Sequence, residues 1–299
     1  MTLAIFTTSF TTIKKAENVY DFLALLAKQS TGTLVSSSTV DAFLDQGLNI
    51  HQIPGVEVKK DMLVRSDADF ILSLGGDGTF LRAAHWAGNS EIPVAGINMG
   101  HLGYLTTFRF EELASIPQLL SNGEFEVEAR TMLDIYVSPD KIKGNDGPWF
   151  SALNEVAILK QDTASIISIP VNLDGKELGV YNSDGLIVST PTGSTAYNLS
   201  VGGPVLQPTV GALVLSPIAD HSLTMRPMVI SDDSILEVTA LGRTSSFRVS
   251  LDGNSFIVPA GEKVRIKKAP FRCNMICKKG ELFASTLRSK LLWGAGCES

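Results

Sequence analysis

A glycine-rich turn at residues 75–79, GGDGT, is the first group of residues in this sequence that could do chemistry. It follows an apolar run at 70–74 and precedes an alanine-rich helical pattern, so it joins a buried strand to a helix. Glycines let a backbone approach a ligand closely, and the amides that open the helix can bind phosphate. Asp77, in the middle of the turn, would repel a phosphate and needs a separate explanation.

Two explanations of Asp77 are compatible with the spacing. The carboxylate could cap the helix that begins near Gly78, or it could accept the proton of a substrate hydroxyl that attacks a phosphoryl group. General-base help of the second kind typically raises a rate by about 10²–10⁴, and a divalent cation would offset the phosphate repulsion. The turn matches neither common phosphate loop, because the Walker lysine is missing and Leu81 replaces the third glycine of the dinucleotide fingerprint.

A second loop, at residues 184–204, is crowded with hydroxyl groups beside glycines. They belong to Thr190, Thr192, Ser194, Thr195, Tyr197 and Ser200. Such a set suits a ligand rich in ribose and phosphate oxygens, although a Ser/Thr-rich surface loop has the same composition. A third element is the pair Asn154 and Glu155 between two apolar stretches, which is either a polar pair at a β-bulge or a bidentate grip on a base or a sugar diol.

Short apolar runs alternate with helical patterns in the first hundred residues. The runs lie at 3–6, 33–35, 70–74 and 94–97, and the first helix has Ala16, Tyr20, Leu23 and Ala27 on one face. A last helix is predicted over 110–120 and ends at Gly123. This βαβ rhythm predicts an α/β domain with an open parallel sheet, Rossmann- or flavodoxin-like, over residues 1–115, with ligands beyond the carboxyl ends of the strands.

From residue 125 the period of the apolar positions changes to two. Phe125, Val127, Ala129, Leu133, Ile135 and Val137 occupy odd positions and are predicted to be the buried face of a strand. Two further alternating segments each contain an Asp-Gly turn, at 174–175 and 252–253, which is a strong hairpin signal. We therefore expect an all-β C-terminal domain, antiparallel and sandwich-like, over residues 125–270.

Composition and charge argue against several classes of function. The chain is 44% hydrophobic and 19% charged, without 18 consecutive apolar residues, which predicts no association with a membrane. A net charge of −6 argues against a nucleic-acid partner. The start of the sequence lacks a basic signal-peptide region, and Cys273, Cys277 and Cys297 suit structural thiols in a reducing cytoplasm. His51, His85 and His101 have no metal-ligand spacing, so no metal held by the protein is expected.

Taken together, several motifs resemble the NAD kinase family. They are LGGDGT (74–79), INMGHLGYLT (97–106), LNEVAI (153–158), DGLIVSTPTGSTAY (184–197) and SPIADHSLTMRP (216–227), in this order along the chain. GGDGT alone is shared with lipid kinases and phosphofructokinases, whereas the order of the other motifs is specific to the family.

The resemblance implies ATP-dependent phosphorylation of NAD at the 2′-hydroxyl of its adenosine ribose, with a divalent cation, Mg²⁺, accompanying ATP. It implies that the last segment, 271–299, returns to the α/β domain. It also implies a homo-oligomer, dimer or tetramer, in which subunits share pocket residues. Two alternatives are another GGDGT kinase that acts on a lipid or a nucleoside, and a dinucleotide sensor without catalysis.

The resemblance also assigns roles to individual residues. Asp77 matches the family's catalytic base, with Gly75, Gly76 and Thr79 in the phosphate loop. The positions that match the family's NAD pocket are Asp77, Gly78, Arg82, Asn154, Glu155, Asn182, Asp184, Thr195, Ala196, Tyr197, Asn198, Leu199, Ser200, Ala219 and Asn254.

Three positions depart from the family's pattern. Asp220 stands where the family usually has proline, and Asn254 replaces a commoner glutamine. Ser183 stands where members that accept polyphosphate tend to have glycine, which favours ATP as the donor and NAD rather than NADH as the acceptor.

Overall fold

A computed structural model of the chain divides into two compact units. One unit consists of Met1–Ala129 with Cys273–Ser299, and the other of Arg130–Arg272. The structure describes residues 1–29, 32–100, 103–138, 150–161, 166–222, 224–243, 245–280 and 283–294. His101 and Cys297 lie outside the described residues, whereas Cys273 and Cys277 are buried free thiols.

The first unit is built on a parallel sheet. Its strands are β1 Thr2–Phe6, β2 Gly32–Ser36, β3 Val56–Lys59, β4 Phe70–Gly75, β5 Val94–Asn98 and the short β6 Phe108–Arg109. They lie in the order β3-β2-β1-β4-β5, with β6 beside β5, and every one of these pairs is parallel. The predicted open α/β fold is therefore confirmed for this part of the chain.

Helices follow three of these strands and cover the sheet. They are α1 Ile13–Lys28 after β1, α2 Ser37–Leu44 after β2 and α3 Asp77–Ala87 after β4, with α4 Ile116–Asn122 further along the chain. The Thr12 side chain caps α1 by accepting a hydrogen bond from the Lys15 amide. Ala16 and Leu23 of the predicted face are fully buried, and Tyr20 and Ala27 pack against the same core.

The predicted helix over 110–120 is only partly α-helical. Phe110–Ser115 forms a 3₁₀ helix, and α4 begins at Ile116. Pro117 explains the break, because proline lacks the amide proton of a continuous helix but fits its first turn. The predicted end is confirmed, since Gly123 has the left-handed conformation, φ 66°, that closes a helix.

The second unit is antiparallel. Its strands are β7 Phe125–Tyr136, β8 Ser151–Ala152, β9 Glu155–Leu159, β10 Ile167–Leu173, β11 Lys176–Ser183, β12 Gly185–Ser189, β13 Ala212–Ile218, β14 Met228–Ser231, β15 Leu236–Thr239, β16 Ser246–Leu251, β17 Asn254–Pro259 and β18 Lys263–Lys278. Residues 125–129 of β7 and 273–278 of β18 belong to the first unit. One sheet has the order β14-β13-β12-β9-β16-β17, and a second layer contains β11-β10-β15-β18. Residues of both layers form one hydrophobic core, as in the predicted sandwich.

Both Asp-Gly hairpins are confirmed. β10 turns into β11 through Asp174 and Gly175, and β16 turns into β17 through Asp252 and Gly253. All four residues have positive φ, between 49° and 88°, as a tight two-residue turn requires.

The predicted alternation in β7 is wrong near its middle. Val127 is 46% exposed, whereas Arg130 is 6% exposed. From Arg130 to Leu133 four consecutive residues are buried. Both faces of the strand are therefore covered there, and buried residues do not alternate with exposed ones. Alternation resumes only towards the end of the strand, with Ile135 buried and Tyr136 exposed.

The chain ends in the first unit. Met275 of β18 pairs with Val94 of β5 in parallel, and a final helix, α6, spans Phe283–Leu291. Earlier in β18, Val264 and Ile266 are buried between exposed basic residues, as expected for a strand with one solvated face. No helix in the described part of the chain is long and apolar enough to span a membrane.

Candidate active site

Asp77 lies at the carboxyl end of β4, and its side chain does not cap the helix it opens. Gly76 occupies the cap position of α3, and no side chain caps the first turn. The Asp77 carboxylate instead accepts hydrogen bonds from the backbone amides of Tyr104, at 2.6 Å, and Leu105, at 2.8 Å. The helix-cap explanation of Asp77 is therefore wrong. Each carboxylate oxygen uses one lone pair on an amide and keeps another for a substrate hydroxyl.

The glycines around Asp77 have two different functions. A Cβ atom at Gly76 or Gly78 would meet no atom within 4 Å, so these positions leave the backbone open to a ligand. A Cβ atom at Gly75 would overlap the Thr79 side chain, and one at Gly103 would overlap the Asp77 carboxylate. Gly103 is thus required for the close approach of its loop to Asp77, and a glycine in the GHLGY segment was the only sequence signal for it.

Other polar groups lie at the same edge of the sheet. The Thr79 hydroxyl lies 3.4 Å from the hydroxyl of Thr8, which follows β1. The Lys15 ammonium group donates to the carbonyl oxygen of Met99, which follows β5. Arg82, one turn into α3, is exposed. The carboxyl ends of three parallel strands thus bring hydroxyl groups, a cation and the Asp77 carboxylate to one edge, where open α/β sheets bind ligands.

In the second unit, Asn154 and Glu155 are positioned by Asp252. The Asp252 carboxylate, in the β16–β17 turn, accepts hydrogen bonds from the amides of Leu153, Asn154 and Glu155 at 2.6, 2.8 and 3.1 Å. Sequence analysis missed this function, because Asp252 is fully explained as a turn residue as long as its contacts are unknown. Asn154, one of the residues that it contacts, lies 98 positions away in the sequence. Gly193 is also essential here, since a Cβ atom would overlap the Asn154 backbone.

Glu155 is a carboxyl group with an unusual proton affinity. Burial, followed by the nearby charge of Asp252, raises the pKa of Glu155 to about 8, against a lowering by the amide of Tyr197. Burial also raises the pKa of Asp252 to about 6, although its three amide donors oppose this. Within the described residues, the buried Oε2 atom of Glu155 has no hydrogen-bond partner. Glu155 therefore has a buried oxygen that a ligand could satisfy.

The hydroxyl-rich loop mostly uses its polar groups internally. The hydroxyl of Thr190 donates to the Leu153 carbonyl, and that of Ser194 donates to the Pro191 carbonyl. Asn198 is fully buried and donates to the carbonyl oxygens of Ser194 and Pro204. The structure thus shows that Asn198 holds the loop, and its contact with ligand stays a prediction.

The remaining predicted residues of this loop are more accessible. The Thr195 hydroxyl donates to the Thr192 carbonyl, while Ala196 and Leu199 are half-buried. Tyr197 and Ser200 belong to α5, Tyr197–Ser200, and are exposed, Tyr197 to 40%.

The candidate residues of the second unit form two groups at opposite ends of β12. Asn154, Glu155 and Asn254 lie near the end of β12, where Glu155 pairs with Ser189. Asn182, Asp184 and Ala219 lie near its start, where the Asp184 amide donates to the Ile218 carbonyl and the Asp184 carboxylate forms an ion pair with Lys160 at 2.6 Å. The five residues of β12 separate the groups by roughly 17 Å. One copy of this unit therefore does not bring both groups to one ribose.

Comparisons with known proteins define the class of this chain. Models described as the ATP-NAD kinase N-terminal and C-terminal domains match residues 10–125 and 153–277. An NAD kinase of Porphyromonas gingivalis is 39% identical over 283 residues, 94% of this chain and 95% of the relative. One of Flavobacterium psychrophilum is 43% identical over 226 residues, 76% of each chain.

Two solved structures agree with this match. A yeast NADH kinase complexed with NADH aligns with a TM-score of 0.82 at 23% identity, over 99% of this chain and 89% of that one, which shows the shared fold. An NAD kinase from Archaeoglobus fulgidus in complex with ATP aligns with a TM-score of 0.68 at 27% identity, over 97% of each chain. The two-domain architecture is thus that of a kinase. The chain belongs to the NAD kinase family.

Proposed function

We propose that the protein transfers the γ-phosphoryl group of ATP to the 2′-hydroxyl of the adenosine ribose of NAD, giving NADP and ADP. The observation that supports this most directly is the Asp77 carboxylate, held by two amides next to two open glycines at the carboxyl edge of a parallel sheet. A carboxylate in this position addresses a hydroxyl, and the open backbone beside it addresses phosphates.

The reaction requires one proton acceptor and charge neutralisation. As the 2′-oxygen forms its bond to the γ-phosphorus, Asp77 accepts the hydroxyl proton and the bond to the ADP oxygen breaks. Gly76 and Gly78 expose amides at the N-terminus of α3, where the helix dipole favours phosphate. The divalent cation, Mg²⁺ by preference, accompanies ATP and neutralises phosphate charge. No group of three His, Cys, Asp or Glu side chains in the described residues could hold a metal.

NAD is bound by the residues of the second unit, with Asn154 and Glu155 on the adenine and ribose. Glu155 supports this assignment because its Oε2 atom is buried without a partner among the described residues, and a ribose diol supplies two hydroxyl donors. The two groups at opposite ends of β12 support a homo-oligomer whose pocket takes one group from each of two copies. Residues 1–115 with 271–299 would then be the phosphate-binding domain and 125–270 the dinucleotide-binding domain.

The donor is ATP rather than polyphosphate, and the acceptor is NAD rather than NADH. Ser183 is the residue behind this assignment. It is fully buried, and its hydroxyl donates to the Gly185 carbonyl at 2.8 Å, directly before β12. A glycine there would remove this hydrogen bond next to Asp184.

The test is an end-point assay of purified protein with NAD, ATP and magnesium, in which NADP is read through an NADP-specific dehydrogenase. Parallel reactions contain NADH instead of NAD, with the product NADPH read through the reverse reaction of the same dehydrogenase, or polyphosphate instead of ATP. We expect product only from NAD with ATP. A folded sample that makes neither NADP nor NADPH from any pairing would refute the kinase assignment, and calorimetric NAD binding without product would identify a sensor.

A further inference from the structure

The last helix of the chain contacts the loop that holds Asp77. The Lys290 ammonium group, on α6, donates hydrogen bonds to the carbonyl oxygens of Tyr104, at 3.3 Å, and Thr106, at 3.1 Å. The same ammonium group lies 5.7 Å from the centroid of the Tyr104 ring, within the range of a cation–π interaction. All of these residues belong to the first unit. The short segment 104–106, which donates hydrogen bonds to Asp77, is thus also contacted by Lys290, a residue far away in the sequence.

One peptide group connects Lys290 with Asp77. Its carbonyl belongs to Tyr104 and accepts from Lys290, and its amide belongs to Leu105 and donates to the Asp77 carboxylate at 2.8 Å. Hydrogen bonds in such a chain polarise one another, so a cation at the carbonyl end strengthens the amide as a donor. The charge of Lys290 therefore fixes both the direction and the strength of a hydrogen bond to the proposed base.

The loop has other attachments that do not involve Lys290. The Asn98 side chain donates to the Thr106 hydroxyl at 3.0 Å, and the Thr107 amide donates to the Gly96 carbonyl at 3.1 Å. Leu105 and Thr106 are both buried. These contacts keep the loop folded when Lys290 is replaced, so the loss of Lys290 changes the tilt and polarity of the Tyr104–Leu105 peptide rather than the fold.

We propose that Lys290 is a positioning residue for phosphoryl transfer, which acts on Asp77 through the peptide group between Tyr104 and Leu105. This inference rests on the proposed function, because it takes Asp77 as the proton acceptor. A displaced or weakened donor leaves the carboxylate free to turn away from the substrate hydroxyl, and catalysis is sensitive to such displacements. Substrate binding, in contrast, does not depend on Lys290.

The first experiment compares Lys290→Met, Lys290→Arg and Arg288→Ala in the full chain. Methionine keeps the apolar stem and removes the charge, arginine keeps a charge that can reach two carbonyl groups, and Arg288 is an exposed residue of the same helix. We expect kcat to fall about tenfold for Lys290→Met, with the KM for NAD, the calorimetric Kd for NAD and the melting temperature unchanged. Lys290→Arg should recover most of kcat, and Arg288→Ala should equal the original protein.

The second experiment is hydrogen exchange of the same variants without substrates, followed by mass spectrometry. Amides of the 103–107 segment should exchange about tenfold faster in Lys290→Met than in the original protein or in Arg288→Ala, because one anchor of the loop is lost. If the original protein makes no NADP, the proposed function fails, and exchange alone decides whether Lys290 anchors this loop. Unchanged exchange, or unchanged kcat in a protein that makes NADP, would overturn the inference.

Discussion

The Asp77 carboxylate is oriented by main-chain amides of a loop on which Gly103 permits the close approach. Main-chain donors cannot change rotamer, so the carboxylate is held before a substrate arrives. Such preorganisation is what lets a carboxylate accept a proton at the moment of reaction without first being reoriented.

Replacing Asp77 by asparagine tests its function as the base. Asparagine keeps the size of the side chain, but its amide nitrogen faces a backbone N–H and has no basic oxygen for the 2′-hydroxyl proton. We expect turnover to fall by about 10²–10⁴, some 3–5 kcal/mol of barrier, with an unchanged circular dichroism spectrum. Asp45→Asn, an exposed aspartate of the same unit, is the control. Turnover near that of the control would show that Asp77 is not the base.

Glu155 predicts a pH-dependent difference in stability. Its folded pKa, about 8, lies above the ordinary value of 4.5, so between these values the folded protein holds a proton that the unfolded chain releases. The contribution of Glu155 to stability therefore falls as the pH rises through this window. Glu155→Gln carries no such charge and should be more stable than the original protein by on the order of 2–4 kcal/mol at pH 9.

The measurement is urea unfolding of both proteins at pH 5 and pH 9. At pH 5 the folded protein has a protonated Glu155, which glutamine imitates, so the two midpoints should almost coincide. A difference that is equal at the two pH values would contradict the raised pKa.

At the scale of single elements, the two Asp-Gly hairpins are a matched pair. Asp174 and Asp252 have nearly the same φ, 51° and 49°, which asparagine also adopts. The Asp252 carboxylate accepts three amides, whereas that of Asp174 accepts the amide of Ile235 at 2.8 Å. We expect Asp252→Asn to lower the free energy of unfolding at pH 5, below the folded pKa of Asp252, by about 1–3 kcal/mol and Asp174→Asn by less than about 1 kcal/mol. Equal losses would mean that the turn alone explains Asp252.

The sequence predicted elements whose signals are local. The apolar runs of the parallel sheet and the Asp-Gly turns need only their neighbours to be recognised, and the motif order was enough to define the family. The burial of both faces of β7 around Arg130 was missed, because the segments that pack against them are far away in the sequence. Gly103, Asp252 and Lys290 were missed for the same reason, since a glycine, a turn aspartate and a helix lysine acquire their functions only from partners far away in sequence.

At the scale of the whole molecule, the two groups at the ends of β12 predict complementation between subunits. Asn154→Ala removes a proposed ligand contact from the group at the end of β12. Asp184→Ala removes one from the group at its start. If the pocket takes one group from each copy, a co-assembled equal mixture of the two inactive variants regains about a quarter of the activity of a dimer, because half of the dimers are mixed and each has one intact pocket.

The control mixture is Asn154→Ala with Glu155→Ala, which alter the same group and should not complement each other. Light scattering coupled to gel filtration gives the oligomeric state in the same experiment. No gain from the first mixture in an oligomeric sample would place the whole pocket in a single copy.

The first unit is assembled from both ends of the chain, and this sets an order of events during synthesis. Val94 of β5 leaves the ribosome long before Met275, its partner on β18. At a synthesis rate of roughly 5–20 residues per second, β5 lacks this neighbouring strand for on the order of 10–40 s. Arg130–Arg272, which is continuous, is complete before the unit that encloses it in sequence. In a newly synthesised chain the continuous second unit is therefore complete before Met275 and Lys290 of the first unit have been made.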